Sequence, residues 1–305
     1  MIKIVTRNSK LALWQAEHVA QRLNQAGQTT QLIPISTKGD KILDVQLSKI
    51  GSKGVFTEEL EQMLASGEAD IAVHSAKDLQ SSLPDGFEIL AFSERERVND
   101  VLVCDQAIDV TAKLTIGTSS TRRVAYLRHS YPQIKIVDMR GNLQTRIKKM
   151  RAGDCEVLML AYAGVYRMGF ESLVRHHFPV KDCIPAVGQG SLAVECHSQL
   201  PDEIRQVVRA QINDKDTESC LIAERSYLAA MNGGCSIPVF GHCVKTETNQ
   251  YVLRAGIISL DGKEVLQEEK TSDNPLILGR TMGEDILAKG GDRILAAIRK
   301  TLNNQ

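Results

Sequence analysis

The feature that most restricts the fold is an alternation. Short apolar runs are followed, again and again, by stretches whose apolar residues recur at helical spacing. Residues 2–6, 31–36 and the apolar start of 70–79 read as strands. Ser9 can cap a helix that carries Leu13, Ala16, Val19, Ala20 and Leu23 on one face and ends at Gly27. Pro34 pushes its strand toward a sheet edge. A second helix opens at Thr57-Glu58-Glu59, carries Leu60, Met63 and Leu64, and closes at Ser66-Gly67. Apolar runs at 86–92 and 101–103 flank the charged link 93–100, which reads as a crossing between domains. The pattern then restarts: strand 114–117, helix from about 120, strand 134–138, helix 143–151, strand 156–161, helix 162–169. This predicts a second α/β domain with a largely parallel sheet.

Residues 184–190 have the composition of a return crossing, and 191–196 read as a strand that rejoins the first domain. Two crossings leave a cleft between two lobes. From about 213 the style changes to helix 216–231, strands 240–246, 251–259 and 263–270, and helices 276–289 and 291–302. The expected fold is therefore α/β: two α/β domains around a cleft and a small α+β C-terminal domain. The expected divisions are 1–94 with 190–210, 98–186, and 213–305.

Lys plus Arg and Asp plus Glu both number 37 in 305 residues, so the whole-chain charge selects no partner. Any electrostatic signal must be local, and one is. From Thr115 to Gly153 there are nine basic residues and one acid, Asp138. Arg122 and Arg123 follow Gly117-Thr118-Ser119-Ser120-Thr121 at a strand-to-helix turn, and Arg140 precedes a helix in Arg140-Gly141-Asn142. Such junctions aim backbone N–H groups and a positive dipole end at an anion. Arg146 flanks a buried helix face, while Lys148 and Lys149 read as surface charges. Arg7, Arg95 and Arg167 sit at similar junctions. Arginine grips carboxylate or phosphate with two parallel bonds. Nucleic acid is the rival ligand, but aromatics are only 4% of the chain, which leaves few stacking platforms. A small polyanion in the cleft is the preferred reading. The segment Lys49 to Gly54 resembles an anion loop without Walker spacing.

Asp70 to Leu79 starts as a buried strand and turns polar within two residues, ending in Lys77 and Asp78. Charged residues at a strand's carboxyl end are the layout of an α/β ligand site. His74 reads as structural. Seven cysteines, without a CxxC pair, suit reduced thiols better than disulfides or zinc. Cys155, Cys196 and Cys220 read as small core residues. Cys235 follows two glycines on a loop, where a reactive or modified thiol and an ordinary one are equally expected. The N-terminus has no signal-peptide pattern and no run is long enough for a membrane span, so a cytoplasmic chain with no membrane contact is expected.

IAVHSAKD (71–78), GTSSTRR (117–123), RGN with its following TR (140–146), LAYAGVYRMG (160–169), AVGQG (186–190) and GGCSIP (233–238) together resemble the porphobilinogen deaminase family. TRNSKLALWQA (6–16) and GSKGVFTEELE (51–61) resemble it too, so the likeness covers essentially the whole chain. It implies two lobes like those of periplasmic binding proteins, a third domain, and one dipyrromethane cofactor joined by a thioether to Cys235. It implies a transferase of tetrapyrrole (haem) biosynthesis that condenses four porphobilinogens head-to-tail, releases ammonia and yields hydroxymethylbilane. Each pyrrole carries an acetate and a propionate, which explains an arginine-rich cleft. Loss of ammonia gives an electrophilic azafulvene, and ring attack puts positive charge on pyrrole nitrogen. A fixed carboxylate can stabilise that charge and shuttle protons.

By motif match the catalytic carboxylate is Asp78. Cofactor contacts would come from Lys77, Thr118, Ser119, Ser120, Arg122, Arg123, Arg140 and Gln189, and substrate contacts from Arg7, Ser9, Lys49, Lys53, Arg95, Arg146 and Arg167. No metal, nucleic acid or second subunit is expected. Ala76, Val98-Asn99, Asn232 and Ser191-Leu192-Ala193 depart from the family's usual residues. The alternatives are an inert two-lobed binding protein, which has no use for Cys235 or a third domain, and a nucleic-acid-binding protein.

Overall fold

The computed structural model describes residues 1–41, 57–234 and 236–303. The first lobe begins with β1 (Ile2–Arg7), α1 (Lys10–Gln25), β2 (Thr30–Ile35), the short α2 (Lys38–Lys41), α3 (Glu58–Ala65), β3 (Ile71–Ser75) and β4 (Phe87–Phe92). Ser9 does cap α1: its Oγ accepts from the backbone N–H of Ala12. The second lobe follows with β5 (Asp100–Val103), β6 (Thr115–Gly117), α4 (Thr121–Ser130), β7 (Lys135–Val137), α5 (Leu143–Arg151), β8 (Val157–Ala161), α6 (Tyr162–Arg167) and β9 (Val174–His177). The chain then returns through β10 (Leu192–His197) and α7 (Asp202–Ile212).

The two sheets are ordered β2-β1-β3-β10-β4 and β7-β6-β8-β5-β9. Strand β10 therefore joins the first sheet, as the two-crossing reading requires, and Pro34 lies on edge strand β2. The second sheet is parallel over the three strands read from the alternation and is interrupted by one reversed strand. β6 runs parallel to β7 and β8, but β5 runs antiparallel to β8 and β9. The first sheet repeats this: β1 is parallel to β2 and β3, and β10 is antiparallel to β3 and β4. In each sheet the reversed central strand is the one that arrives from the other lobe. It does not come through a strand–helix–strand crossover, so the rule that makes such strands parallel does not apply to it. Strand β9, Val-Arg-His-His, lacks the alternation that marks strands and is legible only as the partner of β5.

The third unit is α8 (Lys215–Ala230), an antiparallel sheet β11-β12-β13 (Val239–Lys245, Tyr251–Ile258, Val265–Ser272), α9 (Pro275–Ile286), a π turn at 287–291 and α10 (Asp292–Asn303). Each unit has its own apolar core, around Val73 and Val194, around Leu102 and Leu158, and around Tyr227 and Leu253. Fully burying a Leu or Val of this kind is worth roughly 1.5–3 kcal/mol over leaving it exposed. The α/β class with a small α+β third unit thus stands.

Two glycines of the return crossing are there for close approach. A Cβ on Gly188 (φ +76°) would lie 2.9 Å from the backbone of Ala76 and Lys77, and one on Gly190 (φ +99°) 2.5 Å from the Glu96 carbonyl. The crossing is wedged between the turn after β3 and the outgoing crossing. The stop after α8 uses a different residue for each task. Asn232, not a glycine, takes the left-handed conformation (φ +44°), while Gly233 makes room for Leu228 and Val239.

Candidate active site

A cavity of about 600 Å³ lies where the three units meet. Lys77 and Asp78 enter it from the first lobe. β3 is buried as far as His74, and a single 3₁₀ turn, Ala76–Asp78, closed by a bond from Leu79 N–H to the Ala76 carbonyl, tips the next residues out of the sheet. Asp78 is exposed and Ala76 buried beneath it. His74 points away from this wall, with Nε2 2.9 Å from Glu195 Oε2 in the interior.

The opposite wall belongs to the second lobe: Thr118, Ser119, Ser120, Arg122, Arg123, Arg140 and Arg146 all line the cavity. Ser120 makes no side-chain cap to α4, so the first N–H groups of that helix remain available to an anion. Asn142, by contrast, caps α5 through Thr145 N–H. Arg146 donates Nε to the Gly141 carbonyl at 2.7 Å. Burial, then the charge of Arg123, lowers its pKa to about 10, with Asp78 and Asp138 opposing. Lys148 and Lys149 are exposed. The third unit closes the cavity with Leu228, Gly234, Ser236, Ile237 and Val239.

Behind the wall lies Asp100, the first residue of β5 and completely buried. Its Oδ2 accepts from Arg122 Nη2 at 2.5 Å; its Oδ1 accepts from Arg123 Nε and Nη2 at 3.1 and 2.8 Å and from Gln189 Nε2 at 3.0 Å. Burial alone would raise its pKa, yet Arg122 and Arg123 hold the carboxyl far below the usual carboxylate range. Arg122 Nη1 and Arg123 Nη1 go to the carbonyls of Ile184 and Met159, while Arg122 Nε is buried without a partner. The Cys183 thiol beside this cluster is pushed up to about 12 by burial. Gln189 Oε1 accepts from Lys77 Nζ at 3.3 Å. Burial, then Arg123, lowers the Lys77 ammonium to about 8.

Other matched residues lie elsewhere. Arg95 spends its guanidinium on Glu224 of α8, at 2.6 and 3.1 Å, and donates Nε to the Gln189 carbonyl. Glu224 is fully buried and also accepts from the N–H groups of Gly188 and Cys243. Arg167 donates to the Gly190 carbonyl at 2.6 Å and lies over the Trp14 ring, bridging the two lobes. Arg7, Ser9, Arg95 and Arg167 are not among the residues lining the cavity. Lys49, Lys53 and Cys235 lie outside the described residues; the sequence neighbours of Cys235, Gly234 and Ser236, line the cavity. The other six cysteines are buried free thiols. Among the described residues no cluster of His, Cys, Asp or Glu suits a metal ion, and no helix is long and apolar enough to cross a membrane.

Asp100 and Glu224 are the residues that motif reading overlooked. Each had a signal. Asp100 opens an otherwise apolar strand, and Glu224 shares a helix face with Cys220, Ala223 and Tyr227. An acid in such a place needs a cationic partner from elsewhere in the chain.

Residues 2–205 match the family model described as porphobilinogen deaminase, dipyromethane cofactor binding domain, and 218–288 match porphobilinogen deaminase, C-terminal domain. A porphobilinogen deaminase of Cytophaga hutchinsonii is 53% identical over 307 residues, covering 99% of this chain and 98% of that one. One of Desulfosudis oleivorans is 47% identical over 305 residues, covering 98% of each. Among solved structures, the Bordetella pertussis BvgS periplasmic VFT2 domain aligns with TM-score 0.42 and 17% identity, over 74% of this chain and 92% of that one.

Proposed function

The chain belongs to the porphobilinogen deaminase family, and from that premise we propose how its cleft residues carry the reaction. The enzyme is a transferase of tetrapyrrole biosynthesis: it condenses porphobilinogen head-to-tail into hydroxymethylbilane with release of ammonia, primed by a dipyrromethane. The observation that carries the assignment of roles is the Lys77–Asp78 turn facing an arginine wall across one cavity.

The residues present fit a dipyrromethane. Its acetate and propionate groups need cations and N–H donors, and this cavity offers Lys77, Arg140, Arg146, the buried free Nε of Arg122 and the uncapped start of α4. Cys235 is the anchor, and Thr118, Ser119, Ser120, Arg122, Arg123, Arg140, Gln189 and Lys77 hold the group. When bound, it supplies the pyrrole carbon to which the first substrate is joined. Asp78 holds a carboxylate against the positive charge that develops on pyrrole nitrogen, and its oxygens take and return the proton. Arg146, which faces Asp78, receives substrate carboxylates, helped by Arg7, Ser9, Lys49, Lys53, Arg95 and Arg167 as the substrate moves past. Arg95 can do so only by leaving the buried Glu224 carboxylate.

The working unit is one chain, and its division at 1–94 with 190–210, 98–186 and 213–305 agrees with β10 in the first sheet and with three separate apolar cores. A reducing, cytoplasmic setting agrees with six free cysteines. The test is the intact mass of denatured enzyme. It should exceed the sequence mass by one dipyrromethane, mapped to the peptide containing Cys235 and absent from Cys235→Ser, which should be inactive. Active enzyme at bare sequence mass would overturn the anchor.

A further inference from the structure

We propose that Asp100 is a positioning residue for the reaction: one buried carboxylate fixes Arg122 and Arg123 in the second lobe and, through Gln189, holds Lys77 of the first lobe beside Asp78. The inference rests on the reading of the cleft given above and adds a residue to it.

The geometry is a chain of four links. Asp100 stands at the start of the outgoing strand and Gln189 just before the returning one, so the link between them joins the two crossings. The Gln189 amide can sit only one way round. Its Nε2 faces two acceptors, the Val98 carbonyl at 2.7 Å and Asp100 Oδ1, which leaves Oε1 to accept from Lys77. Three donors on Oδ1 and one close guanidinium on Oδ2 leave the carboxylate no freedom to rotate. Two buried guanidiniums without that charge would repel each other and Lys77. Asp100 thus does two things for the cleft. It sets where the arginine forks lie, and it offsets part of the positive charge bearing on Lys77. The charged groups that face Lys77 are Arg122 and Arg123 from α4, Asp100 from β5 and its neighbour Asp78.

The sign of one measurement separates this role from mere structural support. Burial is the main cause of the lowered Lys77 titration, so a loosened fold would expose the ammonium to water and move it up toward the ordinary 10.5. Loss of the Asp100 charge in an intact fold must move it down, because the ammonium loses a stabilising anion. The experiment follows the ε-CH2 NMR signal of Lys77 with pH in holoenzyme whose intact mass shows the same cofactor loading in wild type and variant, assigned by its absence in Lys77→Arg. Asp100→Asn should lower the midpoint by about one unit. In the same variant kcat/KM should fall about 100-fold, the scale expected for displaced binding groups. A midpoint that rises or stays put overturns the proposal, as does an unaltered kcat/KM. Should Asp100→Asn fail to fold, Gln189→Met decides by the same reading. It keeps the arginine–Asp100 bonds but removes the Lys77 acceptor, so the midpoint should again fall. The titration needs no substrate. A failed role for Asp78 would therefore show in turnover alone and leave this result standing.

Discussion

The two lobes use the same strand plan, three parallel strands, one reversed strand and an edge strand that runs with the first three, yet they furnish the cleft in opposite ways. Among the described residues, the first lobe lines the cavity with one short turn, which carries Lys77 and the exposed carboxylate of Asp78. The second gives arginines at the starts of two helices, backed by a buried aspartate. Their helix ends differ too. Ser9 closes the start of α1 with its own hydroxyl, whereas α4 begins with no side-chain cap and directs its N–H groups at the cavity. On the proposed roles, a shared scaffold would place the proton-handling carboxylate in the first lobe and the arginine wall in the second, with Lys77 and the first lobe's own substrate contacts adding grip.

The sharpest way to break this division is Asp78→Ala. Turnover of porphobilinogen should drop by about 10²–10⁴-fold, the usual range for a positioned acid–base group. Because Asp78 is exposed, thermal stability should change little. Asp78→Glu should retain part of the activity. Near-normal bilane formation by Asp78→Ala would end the assignment of chemistry to the first lobe.

A smaller effect is expected from the arginine wall. Arg140→Leu or Arg146→Leu should weaken cofactor loading or chain growth by about 10–100-fold, the scale of losing a charge-assisted bond. Lysine at either position should restore only part, since it lacks the planar fork. Lys148→Leu and Lys149→Leu, on the exposed side of the same helix, are the controls and should behave as wild type. Intact mass reads the loading, and gel separation of enzyme–substrate complexes reads the growth. Equal losses at Lys148 and Arg146 would mean that net charge, not placement, holds the anions.

The smallest effect sharpens the comparison of helix ends. Ser9→Ala should cost about 1 kcal/mol in denaturant unfolding, because it removes a formed cap. Ser120→Ala removes none and should stay within about 0.5 kcal/mol, while still impairing cofactor retention. A Ser120→Ala loss as large as that of Ser9→Ala would show that its hydroxyl serves the fold.

Much of this was legible in local order. Most helices and strands follow from the spacing of apolar residues, since each is decided within a turn or two of chain. β9 and α7 do not, and the crossings follow from charge and glycine–proline composition. The position of Asp78 followed as well, because a polar pair directly after a buried strand has only the strand's end to occupy. The excess of arginine between 115 and 153 was a count. The use made of each arginine was not. Arg122 meets a carboxylate 22 residues away and Arg95 one 129 residues away. Spacing along the chain carries no information about such partners. Burial made the decision: an acid enclosed in apolar surroundings must draw a cation to it, and which cation comes within reach is fixed only when the lobes are packed. The direction of β5 and β10 was decided in the same way, by the lobe from which each strand enters its sheet.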